Sequence, residues 1–118
     1  MKFQKLEVWQ LSFQLSCSIY KETKELRDWG FKDQITRSGL SVPSNIAEGI
    51  ERQGVKEQIQ FLYIAKASLA EMMTQAMIGR EISYLDKDFV EKILSDAEKI
   101  SAMLAGLIKS IKARKQPS

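Results

Sequence analysis

Apolar residues recur along this chain at steps of three and four. In the last third, Phe89, Ile93, Ala97, Ile100, Leu104, Leu107 and Ile111 form one stripe, the spacing of a helix with a single buried face. Upstream, Ile59, Leu62, Leu69, Met73 and Ala76 make a similar stripe, with Phe61, Ile64, Ser68 and Met72 beside it. None of these segments alternates for long, as a strand would. The punctuation predicts four helices. Glycine is the usual residue at a left-handed helix end, so Trp29-Gly30 is expected to close the first helix and Gln53-Gly54 the second. Leu85-Asp86 separates the third and fourth, with Asp86 as N-cap and Asp88 and Glu91 suited to the first turn. Connections this short make neighbours antiparallel. The expected fold is all-α, an antiparallel up-down four-helix bundle.

The first helix carries two stripes. At about 100° per residue, Val8, Leu11, Leu15, Ile19 and Leu26 share one sector. Leu6, Trp9, Phe13, Cys17 and Tyr20 share another, with Ser12, Ser16 and Thr23 between them. Long side chains covering a wide core would account for both. A monomeric bundle helix, however, needs an apolar arc only somewhat wider than ~100°, so the surplus stripe suggests packing against a second copy of the chain. Leu6, Trp9, Phe13 and Tyr20 are the candidate oligomer interface.

The second segment places Ile35, Gly39, Val42, Ile46 and Gly49-Ile50 on one face, with Pro43 in the middle. Proline lacks the amide that would bond four residues back, at a cost of about 3 kcal/mol. Either Pro43 kinks a continuous helix, with Ser38 and Ser41 offering hydroxyls to freed backbone groups, or it opens a new helix capped by Ser41.

Composition adds bounds. The chain has 118 residues, 44% hydrophobic and 28% charged, enough for one core in a single domain spanning 1–118. No run is long enough to span a bilayer and no leader is evident, which points to the cytoplasm. The lone Cys17 cannot form an internal disulfide and suits a reducing compartment; on an apolar stripe it is expected to be buried and inert. Charge is informative once divided. The net +3 comes from the end of the chain, where Lys109, Lys112, Arg114 and Lys115 follow Ile108 with no acid among them. A basic tail at about 109–118 is therefore expected on a slightly acidic body.

Several residues carry a family resemblance. Phe3 with Leu6-Glu7-Val8-Trp9-Gln10, Gln34 and Arg37, and above all Ser41-Val42-Pro43-Ser44-Asn45-Ile46-Ala47-Glu48-Gly49 resemble the four-helix bundle proteins encoded in intervening sequences of large-subunit ribosomal RNA genes. That family also carries the name of a small-subunit ribosomal protein. Arg52, Lys56-Glu57, Phe61-Leu62, Ser68-Leu69, Thr74-Gln75 and Tyr84-Leu85 extend the match over roughly residues 3 to 108. Pro43, Ser44, Asn45, Glu48 and Gly49 form the most distinctive part. The resemblance implies a homopentameric ring. It also implies kinship with the accessory protein of diversity-generating retroelements, which binds a reverse transcriptase and is thought to bind RNA. Gly54 departs from the family's serine, which with Glu57 would form a capping box. Leu40-Ser41 departs where basic or alanine-rich residues are common.

The inventory argues against an enzyme. There is no histidine, so acid–base work near neutrality would need a tuned carboxylate, lysine or Cys17, and a di-iron bundle lacks its ligands. No phosphate-cradling glycine loop occurs, and no metal or other cofactor is called for. Glu48 and Glu71 across helices two and three are expected to join a structural network with Asn45, Arg52 and Gln75. Two non-enzymatic readings remain. In the first, an RNA-associated accessory factor meets structured RNA through Lys109, Lys112, Arg114, Lys115, Arg37, Arg52 and Lys56. In the second, the oligomer is a scaffold whose partner is a polymerase or another protein.

Overall fold

The computed structural model describes residues 2–114. A short 3₁₀ turn, Phe3–Lys5, leads into α1 (Glu7–Glu22), α2 (Trp29–Glu51), α3 (Val55–Glu81) and α4 (Lys87–Ala113), with no strand among the described residues. Each helix packs on the next and α4 closes on α1, whereas the diagonal pairs stay apart. Cross-helix contacts pair Ser38 with Gln75 and Ser41 with Ser68, so α2 and α3 run antiparallel. The expected all-α four-helix bundle is therefore observed. It measures 54 × 21 × 21 Å, consistent with α3 and α4, whose 27 residues each span about 40 Å. No helix among the described residues is long and apolar enough to cross a membrane.

The core is a column of aliphatic side chains drawn from all four helices. Ile19, Ile35, Ile46, Leu62, Leu69, Met72, Ile100, Leu104 and Ile111 are each almost wholly removed from solvent. Ser12 and Thr23 of the first segment are also fully buried. Each hydroxyl donates to a local carbonyl, Ser12 to Trp9 at 2.9 Å and Thr23 to Ile19 at 2.8 Å, so burial leaves neither donor unpaired.

Trp29-Gly30 does not end α1. The helix stops at Glu22, and Trp29 and Gly30 open α2 instead. Asp28 decides this: its carboxylate accepts the Phe31 amide at 3.1 Å as the α2 N-cap, a stronger local signal than a glycine two residues further on. No glycine has positive φ. The left-handed position that glycine usually fills is taken by Ser83 (φ 64°), just past α3. There the Tyr84 and Ser83 amides donate to the carbonyls of Gly79 and Arg80 at 2.8 and 3.1 Å, the Schellman pattern of helix termination. Asp86 caps α4 as expected, accepting from the Asp88 and Phe89 amides.

The helix is continuous through Pro43, which is buried inside α2, so a break at proline is ruled out. The neighbouring hydroxyls do not serve the freed backbone as expected. Ser38 donates to Ile35 O (3.2 Å) and Gln75 Oε1 (2.6 Å), and Ser41 meets Ser68 at 2.9 Å. They tie α2 to α3 instead.

Candidate functional site

The residues singled out in the sequence fall into three places. The first is the α2–α3 seam, which takes most of the distinctive motif. Asn45 donates to both the carbonyl and the hydroxyl oxygen of Ser41 at 2.8 Å, adjoining the Ser41–Ser68 contact. Gly49 lies against α3 so closely that a Cβ there would sit 3.1 Å from Gln58 O and 3.2 Å from Phe61 Cβ. Glu48 pairs with Arg52 at 2.6 Å, and the Arg52 guanidinium lies 4.7 Å from the centre of the Phe61 ring. Gln58 donates to the Arg52 carbonyl at 2.8 Å, tying down the α2 terminus. Of the five motif residues, Ser44 and the paired Glu48 are exposed. The expected network of Glu48, Glu71, Asn45, Arg52 and Gln75 divides accordingly. Gln75 joins Ser38, Asn45 joins Ser41, Arg52 joins Glu48, and Glu71 is exposed. The pairs follow one another along the α2–α3 seam, each satisfied by its own partner, so no single cluster forms.

The second place is the outer stripe of α1. Phe3, Trp9 and Phe13 form a continuous aromatic run, with ring centres 5.3 and 5.1 Å apart. Leu6 and Trp9 are partly covered, while Phe13 and Tyr20 keep 48% and 46% of their surface exposed. Cys17 is exposed on the same stripe, not buried as expected. The bundle turns Ser12 and Ser16 inward, and at about 100° per residue this leaves Phe13 and Cys17 facing out.

The third place is one end of the bundle, where the N-termini of α1 and α3 meet the C-termini of α2 and α4. Lys109 and Lys112 are not part of an appended tail, because α4 runs through Ala113 and buries Ile111. Lys112 reaches Tyr63 of α3, donating to its hydroxyl at 3.1 Å with Nζ 5.5 Å from the ring centre. Lys66 and Lys109 line the same depression. Lys2 and Arg114 lie together on the α1 side of this end. Lys56 is exposed in the first turn of α3. Arg37 lies away from this end, paired with Asp33 at 2.9 Å, whereas Arg52 lies at this end as the α2 C-cap but is paired with Glu48. Lys115 lies outside the described residues. Tyr63 was missed by sequence reasoning, which ranked positions by charge. The signal was present in Lys56 and Lys66, seven residues before and three after Tyr63 on neighbouring helical faces.

The opposite end is held by a different cluster. Tyr84 donates its hydroxyl to Asp28 at 2.9 Å and packs edge-on against Phe31. The Asp28 carboxyl is lowered below its ordinary value by the Phe31 amide and then by the Tyr84 hydroxyl, and Asp28 in turn raises the Tyr84 phenol.

These features define the class: an all-α bundle with one aromatic face and one cationic end. The chain belongs to the 23S rRNA-intervening sequence protein family, whose model matches residues 4–106. It is similar to a crystal structure of a protein of unknown function from the S23 ribosomal protein family of Bacteroides thetaiotaomicron. The two superpose with a TM-score of 0.82 at 26% identity, covering 86% of this chain and 98% of that one. No curated protein matches.

Proposed function

We propose that this protein is a non-enzymatic, oligomeric bundle that serves as an RNA-associated accessory factor. The observation that carries the reading is the cationic end. Lys109, Lys112 and Arg114 of α4 lie at the end of the bundle that also holds Lys2, Lys56 and Lys66, on a chain whose residues before 109 are slightly acidic. Phosphate neutralisation by such a group gives salt-labile binding without sequence preference. The family's name fits an RNA setting, and the absence of histidine from the sequence fits a protein that performs no acid–base chemistry.

Assembly is supported by the α1 stripe. Phe13 and Tyr20 face outward from α1, and Ile64 and Ile78 are exposed on α3, the helix diagonal to it. Two unlike apolar faces on opposite sides favour head-to-tail contact, which closes into a ring when the rotation permits. The resemblance implies a pentameric ring. Repeated cationic ends would then act together, adding affinity through effective concentration.

The test is binding of the full-length oligomer to RNA across a salt series, beside an acidic polypeptide as control. Replacing Lys109, Lys112 and Arg114 together by glutamine is expected to flatten the salt dependence and weaken binding. These changes leave Ile111 in the core, which a truncation at residue 109 would remove. RNA bound no better than the acidic polypeptide would refute the proposal. The aromatic run of Phe3, Trp9 and Phe13 favours the second reading, a scaffold that contacts protein alone; retention of a protein partner by an oligomer that binds no RNA would establish it.

A further inference from the structure

Between the N-terminal half of α3 and the C-terminal half of α4 runs a shallow groove with Tyr63 at its centre. Tyr63 borders two depressions along it and a third on the adjoining face of α3. The one with the most cations around it, about 220 Å³, is lined by Tyr63, Lys66, Ala105, Ile108, Lys109 and Lys112. Among the described residues, none lining any of the three is acidic. Tyr63 keeps 47% of its surface exposed, and Lys112 holds it by the hydroxyl. The floor and far wall are small, with Ala67, Ala70, Ser101 and Ala105 leaving room for a flat group beside the ring.

The geometry points to a binding site for single-stranded nucleic acid in this groove, with an unpaired base stacked on Tyr63 and flanking phosphates held by Lys66, Lys109 and Lys112. An exposed aromatic ring set among cations is the combination that single-strand binders use: the ring takes any base by its π-face and the cations follow the backbone. An acidic peptide would meet the lysines but gain little from the tyrosine. A duplex would reach the phosphate sites but keep its bases stacked away from the ring. This inference rests on the RNA-associated reading above and adds a location and a strand state to it.

The experiment uses the full chain and a short fluorescein-labelled RNA of mixed sequence, single-stranded or annealed to its complement, followed by anisotropy. Single-stranded RNA is expected to bind more tightly than the duplex. Tyr63→Ala is expected to weaken it roughly five- to a hundredfold with little change in salt dependence. Tyr63→Phe, which keeps the ring and loses the hydroxyl, is expected to stay near wild type. Lys66→Gln, Lys109→Gln and Lys112→Gln are each expected to lower the log–log salt slope by about 0.7. Circular dichroism and sedimentation of each variant confirm an unchanged fold and mass. Wild-type RNA binding that Tyr63→Ala leaves intact would overturn the groove while leaving the RNA-associated reading standing. A preference for duplex would do the same. Wild-type protein that binds no RNA would overturn both, and a lower mass for Tyr63→Ala would reassign the ring to a subunit contact.

Discussion

Phe13 offers the sharpest test of assembly, because half of it is already spoken for within the chain. One side of the ring stacks on Trp9 at 5.1 Å, and 48% of its surface is left open. A phenylalanine presents about 200 Å², so about 100 Å² remains to be covered by a neighbouring copy. At about 25 cal/mol per Å², covering it stabilises each contact by about 2.5 kcal/mol. Phe13→Glu should therefore raise the dissociation constant of that contact roughly 60-fold, before counting the cost of a buried carboxylate. The loss of the Trp9 contact, about 0.5–1.5 kcal/mol within the bundle, is monitored by thermal melting. Sedimentation velocity over a concentration series is the primary assay. Cys17 supplies an internal reporter, since its exposed thiol shares the stripe. In the oligomer it should react slowly with a thiol reagent, and in Phe13→Glu quickly. A variant with wild-type mass at every concentration, or a Cys17 that reacts equally fast in both proteins, would show that the α1 stripe is not the interface.

Two further outcomes concern the fold itself. Pro43→Ala should stabilise the protein by about 1 kcal/mol in chemical denaturation, because a helix interior regains about 3 kcal/mol while about two buried methylenes, at about 0.8 kcal/mol each, are lost; a lower stability would mean that α2 needs the proline to follow α3. The Asp28–Tyr84 pair predicts a pH signature at both extremes. Asp28 titrates lower when folded, so its contribution is complete above the unfolded carboxyl value and is lost as pH falls through the folded one. Tyr84 titrates higher when folded, so its contribution holds below the unfolded phenol value and is lost as pH rises through the folded one. Asp28→Asn should flatten the acid limb and Tyr84→Phe the alkaline limb of melting temperature against pH, and limbs identical to wild type would dismiss the pair.

Where side chains repeat, the sequence was easy to read. Of the seven residues in the α4 stripe, Ile93, Ala97, Ile100, Leu104 and Ile111 are buried, while Phe89 and Leu107 are partly buried against them. Asp86 lies at the helix start that the punctuation suggests, whereas Gly54, read as the end of the second helix, is the N-cap of α3 two residues past the α2 C-cap. The α1–α2 boundary was harder because two local signals compete within three residues. Gly30 resembles a helix end, while the Asp28 carboxylate caps the next helix by accepting the Phe31 amide; only the position of Tyr84, 56 residues away, shows the carboxylate doubly engaged. Cys17 was misplaced because an apolar stripe says that a residue avoids water, not which of two stripes the bundle covers. The Tyr63–Lys112 contact spans 49 residues and depends on the α3–α4 register, which periodicity alone does not set.

The run of residues 43–49, which carries the resemblance, is largely taken up by packing within the bundle. Pro43 and Gly49 are buried, and Asn45 is engaged by Ser41. Glu48 neutralises Arg52, whose guanidinium rests on Phe61. A Cβ at Gly49 would press on the α3 backbone, so substitutions there act first on the α2–α3 packing. Such a motif identifies the bundle without stating what the bundle binds. Its physical role is to hold α3 in a fixed rotation against α2. That rotation turns Leu62, Ala65 and Leu69 inward and leaves Tyr63 outward beside Lys112. Recognition, on this reasoning, sits one residue away in phase from the core that positions it, and a change in the seam should disturb RNA binding only by turning α3.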